Sequence, residues 1–345
     1  MRTLNEIVEP IKFENNQLLL INQLALPVAE QWVEVNSYKE GAKAIQDMIV
    51  RGAPAIGVTA AYSYALAFKE QDPHEAYIKQ VRQALLSTRP TAVNLAWALN
   101  RMELKLKQHV VGDGSLYAYL LTEAELIHAE DREMNRRIGS NALELVESGS
   151  RALTHCNAGS LATGGYGTAT GVIYSAWEKG LLNHVWVDET RPFLQGARLT
   201  AYELDKAGVE YTLICDNMAA SIMARGEVDF VIVGSDRIVS NGDVANKIGT
   251  YALAVMCHYH GIPFYVAAPS STLDFNLKDG SQIPIEQRAR EELGRINDKA
   301  IALNQSKIFN PGFDVTPARL VSAIITEKGV HRFPYTKSLS KSLSC

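Results

Sequence analysis

The sequence predicts an α/β protein in which a smaller, mainly helical N-terminal domain precedes a domain built on a parallel sheet. Two observations carry this. From Arg151 onward the short apolar runs ALTH, HVWVDE, YTLICD, DFVIVGSD and IPFYVAAP alternate with helical stretches, the pattern of parallel strands joined by crossover helices. Ahead of them helical periodicity dominates, and 345 residues exceed what one core usually serves. The charged segment Ser115 to Glu147 reads as long helices and holds the passage between domains. The expected division is 1–125, mainly helical with short strands, and 126–345, ending in a disordered tail.

Taken in order, residues 1–35 read as strand-like pieces, with LLLINQLALP a strand stopped by proline. Ser37 to Met48 reads as a capped amphipathic helix burying Ala42, Ala44, Ile45 and Met48. RGAPAIG, Arg51 to Gly57, then leads into the apolar helix VTAAYSYALAF, where Pro54 suits a first turn and Arg51 faces unpaired backbone donors. His74 to Leu86 is a further helix. Ser87 to Thr91 is a turn before the helix VNLAWALNRM, and Arg89 stands to that helix as Arg51 does to its own. Two arginines so placed suggest a shared anion site. Gly112 to Gly114 reads as a loop.

THCNAGSLATGGYGTATG, Thr154 to Gly171, exposes one thiol, Cys156, ahead of Gly159, Gly164, Gly165 and Gly167 and a helix with Val172, Ile173, Ala176 and Trp177 on one face. Glycines that turn N–H groups inward at a helix start favour an anion such as a phosphate. A turn needed only for close helix–strand packing explains them equally well, and the spacing is not that of a dinucleotide site. Ligands of parallel sheets bind beyond the carboxyl ends of the strands, where the sequence puts Cys156, Asp188 to Arg191, Asp216 with Asn217, and Ser235 to Arg237. Asp216 also reads as the cap of the next helix. Asn241 to Asp243 is a turn, and Val244 to His258 fits a helix whose first turn carries Asn246 and Lys247. A lysine there opposes the helix dipole, which a bound anion would explain. The last third reads as a charged helix around Ile285 to Leu293, then NPGFDVTP before a final helix, then the low-complexity tail TKSLSKSLSC.

Composition narrows the class. With 47% apolar and 21% charged residues the chain is an ordinary soluble globular protein, and a net charge of −4 argues against nucleic acid as the main partner. Its apolar runs are too short to span a bilayer, and MRTLNEIVEP lacks a signal-peptide core, so a cytoplasmic location is expected. Cys156, Cys215, Cys257 and Cys345 lie far apart and read as free thiols. His155, His258 and His260 lack metal spacing and read as structural, so no metal is expected.

THCNAGSLATGGYGTATG, VDETRPFLQGARLTAYEL, VGSDRI and NGDVANKIGTYALAV together resemble the S-methyl-5-thioribose-1-phosphate isomerase family of methionine salvage. RGAPAIG, RPTAVNLAWAL, IPFYVAAP and NPGFDVTP fit the same family, so the resemblance spans nearly the whole chain. It implies a Rossmann-like C-terminal domain, a homodimer, and isomerisation of a sugar 1-phosphate from aldose to ketose with no metal, nucleotide or other cofactor. Carried over by motif, Cys156 is the catalytic thiol and Asp236 the catalytic acid. Substrate contacts fall on Arg51, Gly52, Ala53, Arg89, Gln195, Asn246 and Lys247.

The family often has an acid where this chain reads Asn22, ahead of Gln23, and alanine where it has Ser235. Neither change removes a catalytic group, but both leave room for a sister substrate such as 5-deoxyribose 1-phosphate or ribose 1,5-bisphosphate. A third reading is a non-catalytic regulatory subunit of the same fold, against which the presence of both Cys156 and Asp236 counts. The chemistry suits these residues. Phosphate on the anomeric oxygen locks the sugar ring, so an acid must protonate the ring oxygen, and hydrogen must then move from C2 to C1 as a proton or as hydride.

Overall fold

The computed structural model describes residues 2–69, 71–89, 93–110, 114–296 and 299–340. A three-stranded antiparallel sheet comes first: β1 (Ile11–Glu14), β2 (Gln17–Ile21) and β3 (Trp32–Val35). Asn15 and Asn16 join β1 to β2 at positive φ (52° and 60°), the backbone a two-residue hairpin requires and asparagine tolerates. Ser37 caps α1 (Tyr38–Gln46) by accepting from the Glu40 N–H. α2 (Ala53–Leu66) is buried along almost its whole length, between α1, α4 (Val93–Gln108) and the first half of α5 (Leu116–Asn141). The amphipathic α3 (Glu75–Leu86) closes this layer.

α5 belongs to both halves of the molecule. Leu120, Ala124 and Ile127 enter the N-terminal core with Leu18, Tyr62 and Leu99, whereas Ile138 enters the core beneath the large sheet. Near its end Gly139 lies against α6 (Ala169–Glu178), where a Cβ would come 2.8 Å from the Gly171 carbonyl oxygen. Only glycine lets the two backbones approach so closely.

The large sheet is built from β4 (Ser150–Thr154), β5 (Leu182–Asp188), β6 (Tyr211–Ile214), β7 (Phe230–Val233), β10 (Phe264–Ala267), β15 (Ala323–Thr326) and β16 (Gly329–His331). Its order is β16-β15-β10-β7-β4-β5-β6, with every neighbour parallel except the β15–β16 hairpin. Helices α6, α7 (Ala201–Ala207), α8 (Ala219–Ala224) and α9 (Thr250–His260) make the crossovers. β7, β10 and β15 are buried at every position, which is why they read as unbroken apolar runs. From β4 the chain winds outward through β5 and β6, then returns to β7 and winds the other way. Such a reversal opens a crevice at the carboxyl ends of its two central strands. Here those ends carry Cys156, after β4, and Asp236, after β7.

A smaller four-stranded sheet lies beyond that edge, in the order β11 (Leu273–Asp274), β8 (Arg237–Val239), β9 (Val244–Lys247), β14 (Phe313–Thr316). β12 (Arg295–Ile296) pairs with β13 (Lys299–Ala300), and α10 (Arg290–Gly294) and α11 (Tyr335–Ser338) complete the elements. Among the described residues no helix is long and apolar enough to cross a membrane.

Several local expectations change. The helix expected over Val244 to His258 is the strand β9 followed by α9, separated by Gly249 at φ 103°. β9 is fixed by pairing with β14, with Asn246 opposite Asp314, a partner no local pattern reveals. The expected final helix after NPGFDVTP is instead the β15–β16 hairpin, whose β-branched Ile324, Ile325 and Val330 suit a sheet. Of the charged helix at Ile285 to Leu293 only the short α10 forms. Met48 leaves the face of α1 and stands in a turn at φ 59°. The tail expected to be disordered is helical as far as Ser338 and anchored at Leu339: α11 buries Tyr335, and Leu339 is fully buried behind it. Residues 341–345, 90–92 and 112–113, which include the end of the tail and parts of two expected turns, lie outside the described residues.

Candidate active site

At the reversal a cleft opens between the carboxyl edge of the sheet, the start of α2 and the segment around Arg288. All nine residues singled out from the sequence line it: Arg51, Gly52, Ala53, Arg89, Cys156, Gln195, Asp236, Asn246 and Lys247. Gly52 is needed where it stands. At φ 95° it brings α2 against the glycine-rich loop, and a Cβ there would lie 2.3 Å from the Ala162 carbonyl oxygen. Lys247 sits at the end of β9 and not in a helical first turn, so the dipole argument made for it falls away. Its ammonium donates to the Gly312 carbonyl at 3.1 Å and lies 4.6 Å from the Phe313 ring centre.

Cys156 is buried, at φ 63°. Its N–H donates to Thr190 Oγ1 at 2.7 Å, and Thr200 Oγ1 donates to its carbonyl at 2.6 Å. Burial pushes the thiol above its ordinary pKa, against the opposing pull of Arg51 and Lys247. Burial likewise pushes the Asp236 carboxyl up, against Lys247, Arg89 and Arg51. At neutral pH the thiol is protonated, and the cleft therefore holds a neutral thiol facing three cations.

The cations are fixed but not saturated. Arg51 donates to the Asn157 carbonyl at 3.3 Å and to its side-chain oxygen, and Arg89 pairs with Glu286 at 3.8 Å. Arg51 Nε, Arg89 Nε and Gln195 Oε1 are buried with no hydrogen-bond partner among the described residues. Buried polar atoms normally find partners. All three residues line the cleft, and two unpartnered donors with one unpartnered acceptor suit a polar, anionic ligand.

The glycine-rich loop serves the protein's own carboxylates. Ser160 and Leu161 N–H groups donate to Glu203 at 3.0 and 2.8 Å, and the Gly164 N–H donates to Asp131 at 2.6 Å. Of the two readings of these glycines, close packing accounts for Gly159 and Gly167. A Cβ at Gly159 would lie 1.7 Å from Glu203 Oε2, and one at Gly167 would meet the Gly159 backbone at 2.4 Å. Asp216 does not cap a helix: its carboxylate accepts the Thr190 and Arg191 N–H groups, both at 2.7 Å.

His155 Nδ1, Asp188 and Asp216 lie within 4.8 Å of one another, close enough to hold a metal ion. The donors of His155 and Asp216 are already committed. His155 bonds Asp188 at 3.0 Å and the Ile248 carbonyl at 2.9 Å, so both ring nitrogens face acceptors. Burial opposes the charge, but Asp188 holds the imidazole above its ordinary pKa. The pair is a structural brace behind Cys156. Sequence reasoning did not single out Phe193, Phe313, Arg288 or Glu292, which also line the cleft. Phe193 and Phe313 stand inside motifs already noted. Arg288, bonded to Glu286 and Glu292 at 2.7 and 2.6 Å, had no signal beyond a run of charges.

Glu203 yields a pH prediction. Burial pushes its carboxyl up to about 7, against the donors Leu161, Asn157 and Ser160 and the charge of Arg51. With the folded value above the unfolded one, the folded protein binds this proton more tightly. Its stabilisation is full below about pH 4.5 and is lost as pH rises through about 7. Glu203→Gln should therefore flatten the pH dependence of the urea midpoint over that window. A variant with the wild-type slope would show that the proton sits elsewhere.

The chain is similar to known proteins over nearly its whole length. Residues 49–332 match the initiation factor 2 subunit family. The methylthioribose-1-phosphate isomerase of Caldicellulosiruptor saccharolyticus is 51% identical over 334 residues, 96% of this chain and 98% of that protein. That of Thermosipho africanus is 53% identical over 336 residues, 96% and 97% of the two chains. The crystal structure of 5-methylthioribose 1-phosphate isomerase from Pyrococcus horikoshii OT3 superposes with a TM-score of 0.90 at 43% identity, covering 97% of this chain and 96% of that one. The structure of translation initiation factor eIF-2B, subunit delta, from A. fulgidus gives 0.87 at 42%, covering 98% and 100%. With the same fold, the same length and half of its residues in common with such enzymes, the chain belongs to the methylthioribose-1-phosphate isomerase branch of the initiation factor 2 subunit family.

Proposed function

We propose that the chain converts 5-methylthioribose 1-phosphate to 5-methylthioribulose 1-phosphate, an aldose–ketose isomerisation in methionine salvage. One observation carries the reading beyond likeness: a carboxyl with a raised pKa and a buried thiol stand on the two central strand ends of one cleft, among Arg51, Arg89 and Lys247. The arginines and the lysine hold the phosphate by charge-assisted hydrogen bonds. Asp236 gives its proton to the ring oxygen as the bond from that oxygen to C1 breaks. C1 is left as an electron-poor centre stabilised by its phosphate oxygen. Hydrogen then passes from C2 to C1, and the C2 hydroxyl proton returns to the Asp236 carboxylate, leaving the C2 ketone and restoring the acid.

The state of Cys156 favours one route for the C2 hydrogen. A proton route needs a thiolate to act as base, and burial holds this thiol protonated. A hydride shift needs only a dry, polarizable wall beside C1 and C2, which a neutral thiol supplies. Beside Asp236 a second chamber adds Ile56, Arg237, Ala245, Ile283, Pro284 and Ile285 to walls shared with the cleft. The ring oxygen is bonded to C4, which carries C5, so a group that protonates that oxygen stands close to the C5 substituent. Apart from Arg237, which pairs with Asp274 at 3.2 Å, the added wall is apolar and suits a methylthio group better than the second phosphate of ribose 1,5-bisphosphate.

Three measurements test this reading. Product analysis with methylthioribose 1-phosphate, 5-deoxyribose 1-phosphate and ribose 1,5-bisphosphate side by side should give the highest kcat/KM for the first. A higher value for the bisphosphate overturns the specificity, and no turnover of any of them favours the regulatory-subunit reading. Asp236→Asn and Cys156→Ser should each keep the wild-type melting temperature while cutting kcat by roughly 10²-fold or more. A folded Asp236→Asn protein with normal turnover removes the acid. Substrate carrying deuterium at C2 should deliver it to C1 of the product, whereas washout to solvent composition means a proton route.

A further inference from the structure

The backbone of Cys156 is held in the left-handed region at φ 63°, and so is that of Thr190 at φ 65°. Few non-glycine residues adopt this conformation, and for a β-branched residue it is a genuine outlier that persists only where the surroundings enforce it. The two outliers are bonded to each other. The Cys156 N–H donates to Thr190 Oγ1 at 2.7 Å, and the same hydroxyl donates to the Asp188 carbonyl at 3.0 Å. Thr190 is fully buried and lies behind the wall of the cleft and not on it.

Thr190 is in turn held by Asp216. One carboxylate oxygen accepts the Thr190 N–H and the other the Arg191 N–H, each at 2.7 Å. On the far side of Cys156, Thr200 Oγ1 donates to the cysteine carbonyl at 2.6 Å and accepts from Asn157 Nδ2 at 3.1 Å. The peptide groups on both sides of the Cys156 Cα are thus clamped by buried threonine hydroxyls. A Cβ direction is fixed once the flanking peptides are fixed. If the bond to Thr190 is lost, φ is free to relax toward negative values, which swings the thiol away from its place beside C1 and C2.

We propose that Thr190 is a positioning residue for the thiol of Cys156, with the Asp216 carboxylate holding Thr190 in the conformation the task requires. The inference rests on the reading of Cys156 as catalytic. It adds that the thiol's aim is set by a hydroxyl outside the cleft, on the loop after β5.

The test compares Thr190→Ala, which removes the hydroxyl and relieves the β-branched strain, with Thr190→Ser, which keeps the hydroxyl. Each is measured for kcat, KM, melting temperature and the rate of Cys156 alkylation by iodoacetamide, read by peptide mass spectrometry. Thr190→Ala should lower kcat roughly 10- to 100-fold with KM changed less than threefold, as about 1 Å of misplacement does, and alter the alkylation rate. Thr190→Ser should restore most of both. Asp216→Asn, whose amide replaces one of two acceptors, should show the same kcat-selective loss to a smaller extent and covers the case in which Thr190→Ala does not fold. Wild-type kcat and alkylation in folded Thr190→Ala or in Asp216→Asn overturn the proposal, as does an equal loss in the alanine and serine variants. If Cys156→Ser keeps wild-type turnover, the catalytic role of the thiol fails, whereas the alkylation rates still report whether Thr190 aims it.

Discussion

A carboxylate buried behind the cleft ties its walls together. Glu203 on α7 accepts from the backbone of Ser160 and Leu161 and from Asn157 Nδ2. Asn157 in turn receives the guanidinium of Arg51, the residue that leads into α2. One acid thereby links the loop after β4, the helix after β5 and the N-terminal half of the chain. Removing such a group from water is costly unless donors replace the water, and three do so here. The same need explains Gly159, since any side chain at that position would occupy the place of the carboxylate. The loop cannot shift without stripping a buried acid of its donors, and Arg51 cannot shift without Asn157.

The electrostatics of the cleft set burial against charge. Desolvation raises the pKa of Asp236 and Cys156, whereas Arg51 and Lys247 pull both down and Arg89 also pulls on Asp236. A phosphate dianion settling on those cations offsets their pull. In the proposed reaction Asp236 would then hold its proton more firmly with substrate present than without it, which is when a ring-opening acid needs it. Protonation and occupancy reinforce one another. The protein has no need of a permanently protonated carboxyl in its empty state.

Much of this was legible in the sequence, for physical reasons that differ by element. β7 and β10 are covered on both faces and so spell themselves out as FVIV and FYVA. Of the cleft residues, Arg51, Arg89, Cys156 and Asp236 were legible from their places at strand ends and helix starts, whereas Gly52, Ala53 and Gln195 came only with the motifs that resemble the family. β9 was not, because what makes VANK a strand is β14, whose residues 313–316 lie far along the chain. β15 was misread because short apolar runs suit either helix or strand until their neighbours are known. Glu203 sits on an amphipathic helix forty-odd residues after its partners and looks like any surface glutamate. Thr190 was noticed only as a polar residue at the sheet edge, and Asp216 as that or as a helix cap. Their bond to each other depends on backbone conformation, which no residue pattern encodes.

α5 has a further consequence. Its 26 residues run about 39 Å and contribute side chains first to one apolar core and then to the other. The two halves therefore share a continuous hydrogen-bonded rod where most two-part chains have a linker. A fragment ending near residue 125 would lose Ile127 from its own core and expose the broken helix. The complementary fragment would carry a frayed stump against α6. Neither half is a portable module to be cut out, swapped or expressed alone, and inserting a segment into α5 would disturb both cores together.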